Sequence, residues 1–202
     1  MKRMFKKKGS RFIAFGAALI LIAAGLAAYN VYDSWHAEKA SEEVYVQLSD
    51  AMEGNSVENG VINPNRDMPT EEIDGYLYIG VLEIPALKLK LPVMEEWDYT
   101  RLRISPCRYE GSAYKDNMII AGHNYSSHFG NLDQLPTGAR VRFTDVEGNV
   151  FDYTLKWVDI LEPEQTEEML EGDWDLSLFT CTYDLSRRNV LRCVKDINRQ
   201  SL

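Results

Sequence analysis

The chain has 202 residues, of which 45% are hydrophobic and 11% aromatic, which is enough for a packed core and too much for a disordered protein. Its 31 acidic and 22 basic residues give a net charge of −9, and every charged residue before Asp33 is basic. The remainder is therefore strongly acidic, which argues against nucleic acid as a partner, because phosphate binding needs Lys and Arg on one face. Three cysteines are too few for a disulfide-stapled scaffold.

An uncharged, apolar stretch covers residues 12–32. As a helix rising about 1.5 Å per residue, it reaches roughly across the hydrocarbon layer of a bilayer. The six basic residues within residues 1–11 favour an amino terminus in the cytoplasm. This predicts a single-pass membrane protein with the rest of the chain outside. The alternative is a cleaved signal peptide, with Gly25 and Ala27 as the small residues of a cleavage site, and it also exports the domain.

Residues 33–70 connect this stretch to the rest of the chain. Residues 33–53 are rich in helix formers and carry Val44, Leu48 and Ala51 at helical spacing, which predicts a short juxtamembrane helix. Residues 54–70 collect Gly, Asn and Pro and indicate a flexible tether. The compact domain is predicted to occupy residues 71–202.

Short β-rich runs dominate the chain after Glu71, and Glu147–Asn149 reads as the turn of a hairpin between two of them. Many strands with only brief helices predict an all-β domain, either a closed barrel or a sandwich. The predicted strands are Tyr76–Ile84 closed by Pro85, Leu87–Val93 closed by Pro92, Met118–Ala121, Val141–Thr144, Val150–Ile160, Leu176–Thr182 and Val190–Val194, and the predicted helical pieces are Trp97–Arg103, Gly130–Leu135 and Thr166–Leu170.

The histidines differ in their settings. His36 falls in the juxtamembrane helix and His128 in a polar loop, whereas His123 directly follows the end of a predicted strand. A rigid strand fixes the imidazole for proton transfer, and Gly122 beside it allows a close approach of the backbone to another group. A capping or surface role for His123 is the alternative.

The cysteines differ in the same way. Cys107 falls in a loop after Pro106, and Cys193, within an apolar strand, is predicted to be a buried small hydrophobe. Cys181 ends a strand just before a turn. Because a thiol with an ordinary pKa of about 8.5 is mostly protonated at neutral pH, a nucleophilic cysteine needs a nearby imidazole or guanidinium.

Three arginines follow Cys181, and antiparallel pairing of the last two strands predicts which of them is nearest. Arg188 is closest to the turn and hence to Cys181, while Arg192 shares its face about 13 Å further along. For Arg187, Arg188 and Arg192 alike, a solvated surface charge is the alternative. A metal site at His123, Cys181 and Cys193 is disfavoured by the lack of metal-ligand spacing. The acidic run of residues 162–175 is interpreted as a solvated loop.

Four groups of segments follow one another along the chain, and together they contain His123, Cys181 and Arg188. They span Tyr76 to Val194, most of the chain after the apolar stretch. The segments are Val81–Pro85 running on to Leu91–Val93, Ile119–Asn124 followed by Phe129–Leu132, Leu178–Cys181, and Arg188–Leu191.

These segments resemble the sortases, the membrane-anchored cysteine transpeptidases of Gram-positive cell surfaces. They look like the opening strands, the histidine segment, the Thr-Leu-x-Thr-Cys signature and the Arg-led strand of that family. Ser177 stands where the signature usually has Thr, which keeps the hydroxyl. Gly122–Asn124 is similar to class B, whereas the loop after it is shorter than in that branch, so the class stays open.

The resemblance implies a closed sortase-type β-barrel behind an N-terminal transmembrane helix. It implies Cys181 as nucleophile, His123 as proton-transfer partner and Arg188 as the residue that stabilises the oxyanion. The substrate would be an exported protein with a motif like Leu-Pro-x-Thr-Gly, and the acceptor an amine of a peptidoglycan precursor or a pilin lysine. This chemistry demands no metal or organic cofactor. A thiol peptidase that uses water as acceptor and an inactive membrane-tethered binding domain are the alternatives.

Overall fold

One uninterrupted helix, α1 (Lys2–Met52), begins the chain in the computed structural model, which describes residues 2–53 and 62–196, with side chains from Gly9 onward. The separate helices predicted for residues 12–32 and 33–53 are therefore one helix, since no proline between them ends it. Within the described residues, α1 is the one helix long and apolar enough to cross a membrane, a test that signal sequences also pass. The predicted tether lies partly outside the described residues.

The chain divides into two units, Met1–His36 and Ala37–Leu202. In the second unit, Ala37, Val44 and Leu48 at the end of α1 are buried, and Val44 and Leu48 pack on the strands. Val44 and Leu48 join a cluster with Tyr78 and other apolar side chains of the barrel wall. The predicted apolar stripe is thus confirmed at these two positions, whereas Ala51 is exposed.

Within the described residues, nine strands and one further α-helix follow, with three single-turn 3₁₀ helices among them. The strands are β1 (Glu71–Ile73), β2 (Tyr76–Ile84), β3 (Leu89–Met94), β4 (Cys107–Glu110), β5 (Met118–Ala121), β6 (Arg140–Asp145), β7 (Val150–Leu161), β8 (Leu176–Cys181) and β9 (Arg188–Lys195); the helix is α2 (Thr166–Leu170), and the 3₁₀ turns are Pro85–Leu87, Arg101–Arg103 and Leu132–Gln134.

The strands form one sheet in the order β1-β2-β3-β4-β5-β8-β9-β7-β6, and a further pairing of β2 with β6 closes it. Eight strands therefore make a barrel, and the three-residue β1 extends it along β2. Most neighbours are antiparallel, but β3 with β4 and β5 with β8 run parallel. Of the two all-β architectures predicted, the closed barrel is confirmed, and its interior is filled by apolar side chains from every barrel strand except β4.

The sequence predictions miss the β3–β4 region. Pro92 lies inside β3 rather than at its end, opposite Val81 of β2. A proline is tolerated there because β3 meets β4 through a single residue pair, Met94 with Cys107, which leaves the other side of Pro92 without a ladder partner. Cys107 begins β4 and is buried, not in a loop as predicted. The four residues of β4 include a register shift at Arg108 and show no regular alternation, so the sequence carries little strand signal.

Candidate active site

Cys181 and Arg188 are directly opposite each other on β8 and β9. Directly opposed residues of antiparallel strands project to the same face of the sheet, with Cβ atoms about 5 Å apart. The antiparallel pairing predicted from the sequence is confirmed, and it makes Arg188 the arginine nearest to Cys181. Cys181 is exposed and Arg188 is half-buried.

The guanidinium of Arg188 has hydrogen-bonding capacity to spare. Its Nη1 is buried, and no described residue accepts a hydrogen bond from it. The guanidinium carbon lies 5.9 Å from the ring centroid of Phe179, which is on the same face of β8 as Cys181. A buried donor without an acceptor is costly, so this arrangement favours a ligand that supplies a carbonyl or carboxylate oxygen.

Arg192 has a structural role instead. Its side chain is 2% exposed and pairs with Asp159 of the neighbouring strand β7 at 3.1 Å. It also donates hydrogen bonds to the hydroxyl of Ser177 and to the backbone carbonyls of Glu168 and Met169 in α2. The interpretation of Arg192 as a solvated surface charge is therefore wrong, whereas Arg187 is exposed.

The acidic segment before β8 is anchored rather than fully solvated. Its helix α2 buries Met169 against Leu161 and Val190. Because Arg192 also holds the carbonyls of α2, the segment is fixed against the outer face of β9. The interpretation of the whole acidic run as a solvated loop is therefore wrong for α2.

His123 follows β5 at the same end of the barrel. The last pair of the parallel β5–β8 ladder is Ala121 with Phe179, and the Gly122 N–H donates to the Phe179 carbonyl at 3.0 Å. His123, just after the end of β5, and Cys181, the last residue of β8, each lie two residues beyond that pair. The ends of β5 and β8 and the start of β9 thus bring the three predicted site residues to one edge of the sheet.

Two glycines allow the tight loop that follows. A Cβ at Gly122 would come within 2.9 Å of three ring atoms of Phe129, and the Phe129 N–H donates to the His123 carbonyl at 3.1 Å. A Cβ at Gly130 would come within 2.9 Å of the backbone of Asn124 and Tyr125. The close approach expected at Gly122 is confirmed, with Phe129 as the group that is approached.

His128 belongs to this loop but not to its surface. It is fully buried, although the sequence placed it in a polar loop. Burial lowers the pKa of His128 to about 4, with a smaller contribution from the nearby His123, so the ring is neutral at physiological pH. Sequence reasoning missed this because Ser126 and Ser127 beside it are polar.

The buried His128 makes the stability of the barrel depend on pH. Because its pKa in the folded chain lies below the ordinary 6.5, the unfolded chain binds the proton first, and stability falls as pH falls from 6.5 towards 4. We expect the free energy of unfolding to lose roughly 2 kcal/mol at pH 5 from this group alone. Urea titrations of the wild type and His128→Phe at pH 7.5 and pH 5 measure it. Equal losses in the two proteins would contradict the assignment.

The three cysteines, all in the described part of the chain, are free and differ in burial. Burial raises the pKa of Cys107 and of Cys193 to about 12, which keeps both thiols protonated. Cys193 lies in the main core, as predicted, and therefore on the opposite face of the sheet from Cys181. The two cannot share a metal ion, and Cys181 is the exposed thiol.

A row of aromatic rings extends from Arg188 and was not predicted. Phe179 contacts Tyr109 edge-on at 5.2 Å between ring centroids, and Tyr109 contacts Trp97 at 5.1 Å. Trp97 and Tyr109 line a cleft of about 540 Å³ with Glu95 and Glu96 among its other walls. The residues of the row come from the segment after β3, from β4 and from β8. From the sequence, the row could have been found only by predicting β4.

The turn between Cys181 and Arg188 is ordered by its own hydrogen bonds. The Asp184 carboxylate accepts hydrogen bonds from the Thr182 hydroxyl and from Ser186, which lower the pKa of Asp184 to about 2. The Thr182 N–H donates to the Arg187 carbonyl at 2.7 Å. The ends of β8 and β9 are thereby held together next to the exposed thiol.

Solved structures share this fold at low sequence identity. The sortase D5 transpeptidase of Clostridium perfringens matches with a TM-score of 0.58 and 19% identity, over 78% of this chain and 96% of that one. Sortase C of Streptococcus pneumoniae gives 0.55 and 20%, over 79% and 90%. Sortase A of Corynebacterium diphtheriae gives 0.54 and 18%, over 89% and 98%. The three represent different sortase classes, so they show the barrel without assigning a class.

The family itself follows from the sequence comparison. No curated protein matches the chain. The family model of the sortase domain matches residues 82–196, more than half of the chain, from within β2 to the end of β9. This range contains the histidine loop, the cysteine strand and the arginine strand described above, and by this match the chain belongs to the sortase family.

Proposed function

We propose that this sortase is a cysteine transpeptidase that cleaves a sorting motif similar to Leu-Pro-x-Thr-Gly and joins the acyl group to an amine. The observation that supports it most is the juxtaposition at the barrel edge. An exposed thiol at Cys181 lies opposite Arg188, whose buried Nη1 has no described acceptor, and His123 leaves the neighbouring strand at the same level.

The first half of the reaction forms a thioester. The Cys181 thiolate attacks the carbonyl carbon of the scissile amide, and the negative charge that develops on the oxygen is stabilised by the guanidinium of Arg188. The C–N bond then breaks, and the imidazolium of His123 gives its proton to the leaving amine.

The second half restores the Cys181 thiolate and the His123 imidazolium. An acceptor amine gives a proton to His123 and attacks the thioester carbonyl, a new amide bond forms, and the Cys181 thiolate leaves. The acceptor we propose is an amine of a peptidoglycan precursor or a pilin lysine. If water attacks instead, the product is a carboxylate, and the protein acts as a thiol peptidase.

The aromatic row suits the donor peptide. Phe179, Tyr109 and Trp97 continue from Arg188 across the outer face of the sheet, so an extended chain bound at Cys181 runs past them. Aromatic faces offer the apolar contact that Leu and Pro side chains of such a motif require. We propose this row as the wall that receives the residues before the cleaved bond.

The long helix suggests where the reaction takes place. We propose that residues 12–32 anchor the protein in the cell membrane, with the basic residues 1–11 in the cytoplasm and the barrel outside. Exported substrates and lipid-linked acceptors then meet the enzyme at the outer membrane face. A membrane-impermeant maleimide should label Cys181 in intact cells. Labelling only after lysis contradicts this orientation, and recovery of a chain that starts after residue 27 identifies a cleaved signal peptide.

Intact-mass spectrometry tests the activity. The full chain in detergent is mixed with a panel of sorting-type peptides, each with and without triglycine. We expect a covalent adduct on Cys181 and a product joined to triglycine. Hydrolysed peptide alone, in the presence of triglycine, favours the peptidase. Absence of any adduct, together with alkylation of Cys181 no faster than a free thiol, favours the inactive binding domain.

A further inference from the structure

Three aromatic rings contact one another in sequence in the loop that carries His123. The imidazole of His123 lies parallel to the phenol ring of Tyr125, with 3.9 Å between ring centroids and 10° between planes. Tyr125 also meets the ring of His128 edge-on at 5.5 Å. Tyr125 therefore contacts both the imidazole of His123 at the site and the imidazole of His128 in the interior.

The backbone holds Tyr125 in this position. Its carbonyl accepts hydrogen bonds from the N–H groups of His128 at 3.0 Å and Gly130 at 2.8 Å. The space available to this turn is set by Gly130, where a Cβ would collide with the Tyr125 carbonyl. The fully buried His128 contacts the Tyr125 ring edge-on, so the ring that stacks on His123 is itself tied to the interior.

We infer that Tyr125 is a positioning residue that fixes the plane of the His123 imidazole for proton transfer at Cys181. The last side-chain torsion of histidine is broad and roughly two-fold, so the ring needs an outside constraint to keep one orientation. A parallel ring at 3.9 Å supplies that constraint, since rotation of the imidazole out of its plane would collide with the phenol. The inference rests on the proposed function, because it concerns how His123 reaches the reacting atoms.

Two substitutions separate stacking from other roles of the side chain. Tyr125→Leu removes the ring and keeps an apolar side chain, whereas Tyr125→Phe keeps the ring and removes the hydroxyl. We expect Tyr125→Leu to slow formation of the Cys181–peptide adduct by about 10- to 100-fold at saturating peptide, with KM unchanged, because a misplaced catalytic group loses rate on that scale. Tyr125→Phe should remain within about twofold of the wild type, as the ring stack that fixes the imidazole is kept.

The same experiment can overturn the inference. A raised KM with an unchanged rate at saturation would make Tyr125 a substrate contact, and an equal loss in Tyr125→Phe would assign the effect to the hydroxyl. Thermal unfolding followed by tryptophan fluorescence checks that both variants are folded.

A second readout needs no peptide and keeps failure of this inference apart from failure of the proposed function. In NMR spectra of full-length protein with labelled histidine, the ring protons of His123 should show an upfield shift from the Tyr125 ring. We expect the upfield shift in the wild type and in Tyr125→Phe, and its loss in Tyr125→Leu. The rate at which iodoacetamide alkylates Cys181 should change in Tyr125→Leu in the same direction as in His123→Ala. Without any peptide adduct in the wild type, the proposed function fails while these measurements still decide the stack. A Tyr125→Leu protein that matches the wild type in both overturns the inference.

Discussion

Replacement of Cys181 by Ala should abolish adduct and product formation and leave the barrel folded. The side chain is exposed at the end of β8 and contributes nothing to the main core, so its loss costs the fold little. With no thiol at this position, no thioester can form, and the other two cysteines cannot replace it because they are buried and protonated. Intact mass after incubation with peptide measures the effect, and thermal unfolding serves as the control for folding.

Alkylation provides the matching positive result. Native wild-type protein should take up one carbamidomethyl group from iodoacetamide, and protein unfolded in urea should take up three, since the chain has three cysteines. Peptide mapping should place the single native label on Cys181. Retained cleavage in Cys181→Ala, or a native label on Cys107 or Cys193, would overturn the assignment of the nucleophile.

Arg188→Ala should lower the reaction rate, whereas Arg192→Ala should lower the stability of the fold. Arg188 lies opposite the thiol with Nη1 unused, so its loss should lower the rate of adduct formation by about 100- to 1,000-fold, as removal of an oxyanion donor does. Stability should change little, because no described carboxylate pairs with Arg188.

Arg192→Ala should instead lower the free energy of unfolding by roughly 3 kcal/mol, as expected when one partner of a buried ion pair is removed. It strips partners from Asp159, Ser177 and the carbonyls of α2 at the same time. Arg187→Ala is the matched control, because Arg187 is exposed and lies in the turn directly before Arg188. It should change neither the rate nor the stability. Rates by mass spectrometry and unfolding by urea give both numbers for each variant. Equal rate losses in folded Arg188→Ala and Arg192→Ala would contradict the assignment.

Much of the barrel could be predicted because most of its strands carry strong apolar signals. Tyr76–Ile84 and Met118–Ala121 have the predicted bounds, and the hairpin around Glu147–Asn149 follows from its turn residues. The pairing of Cys181 with Arg188 could also be predicted, since a short turn leaves an antiparallel pair little choice of register. Local sequence is sufficient where contacts are local.

The remaining features depend on contacts between distant segments. The short strand β4 pairs with β3 at a single residue and with β5 at only a few, and no local sequence pattern indicates it. The burial of His128 depends on the elements packed around a loop that reads as polar, and that of Arg192 on α2 and β7. The aromatic row requires three separate segments to meet, so it becomes visible only in the folded chain.

The burial of Val44 and Leu48 has a practical consequence for any soluble form of this protein. Removing the chain up to the first strand would take away the part of α1 that covers Tyr78 and Met94. An apolar patch on the barrel wall would then be exposed to solvent. Such a fragment should aggregate or bind detergent for reasons unrelated to a membrane. A cut just before Ala37 discards the apolar stretch and retains the covering helix, so it is the better starting point for crystals and for assays in plain buffer.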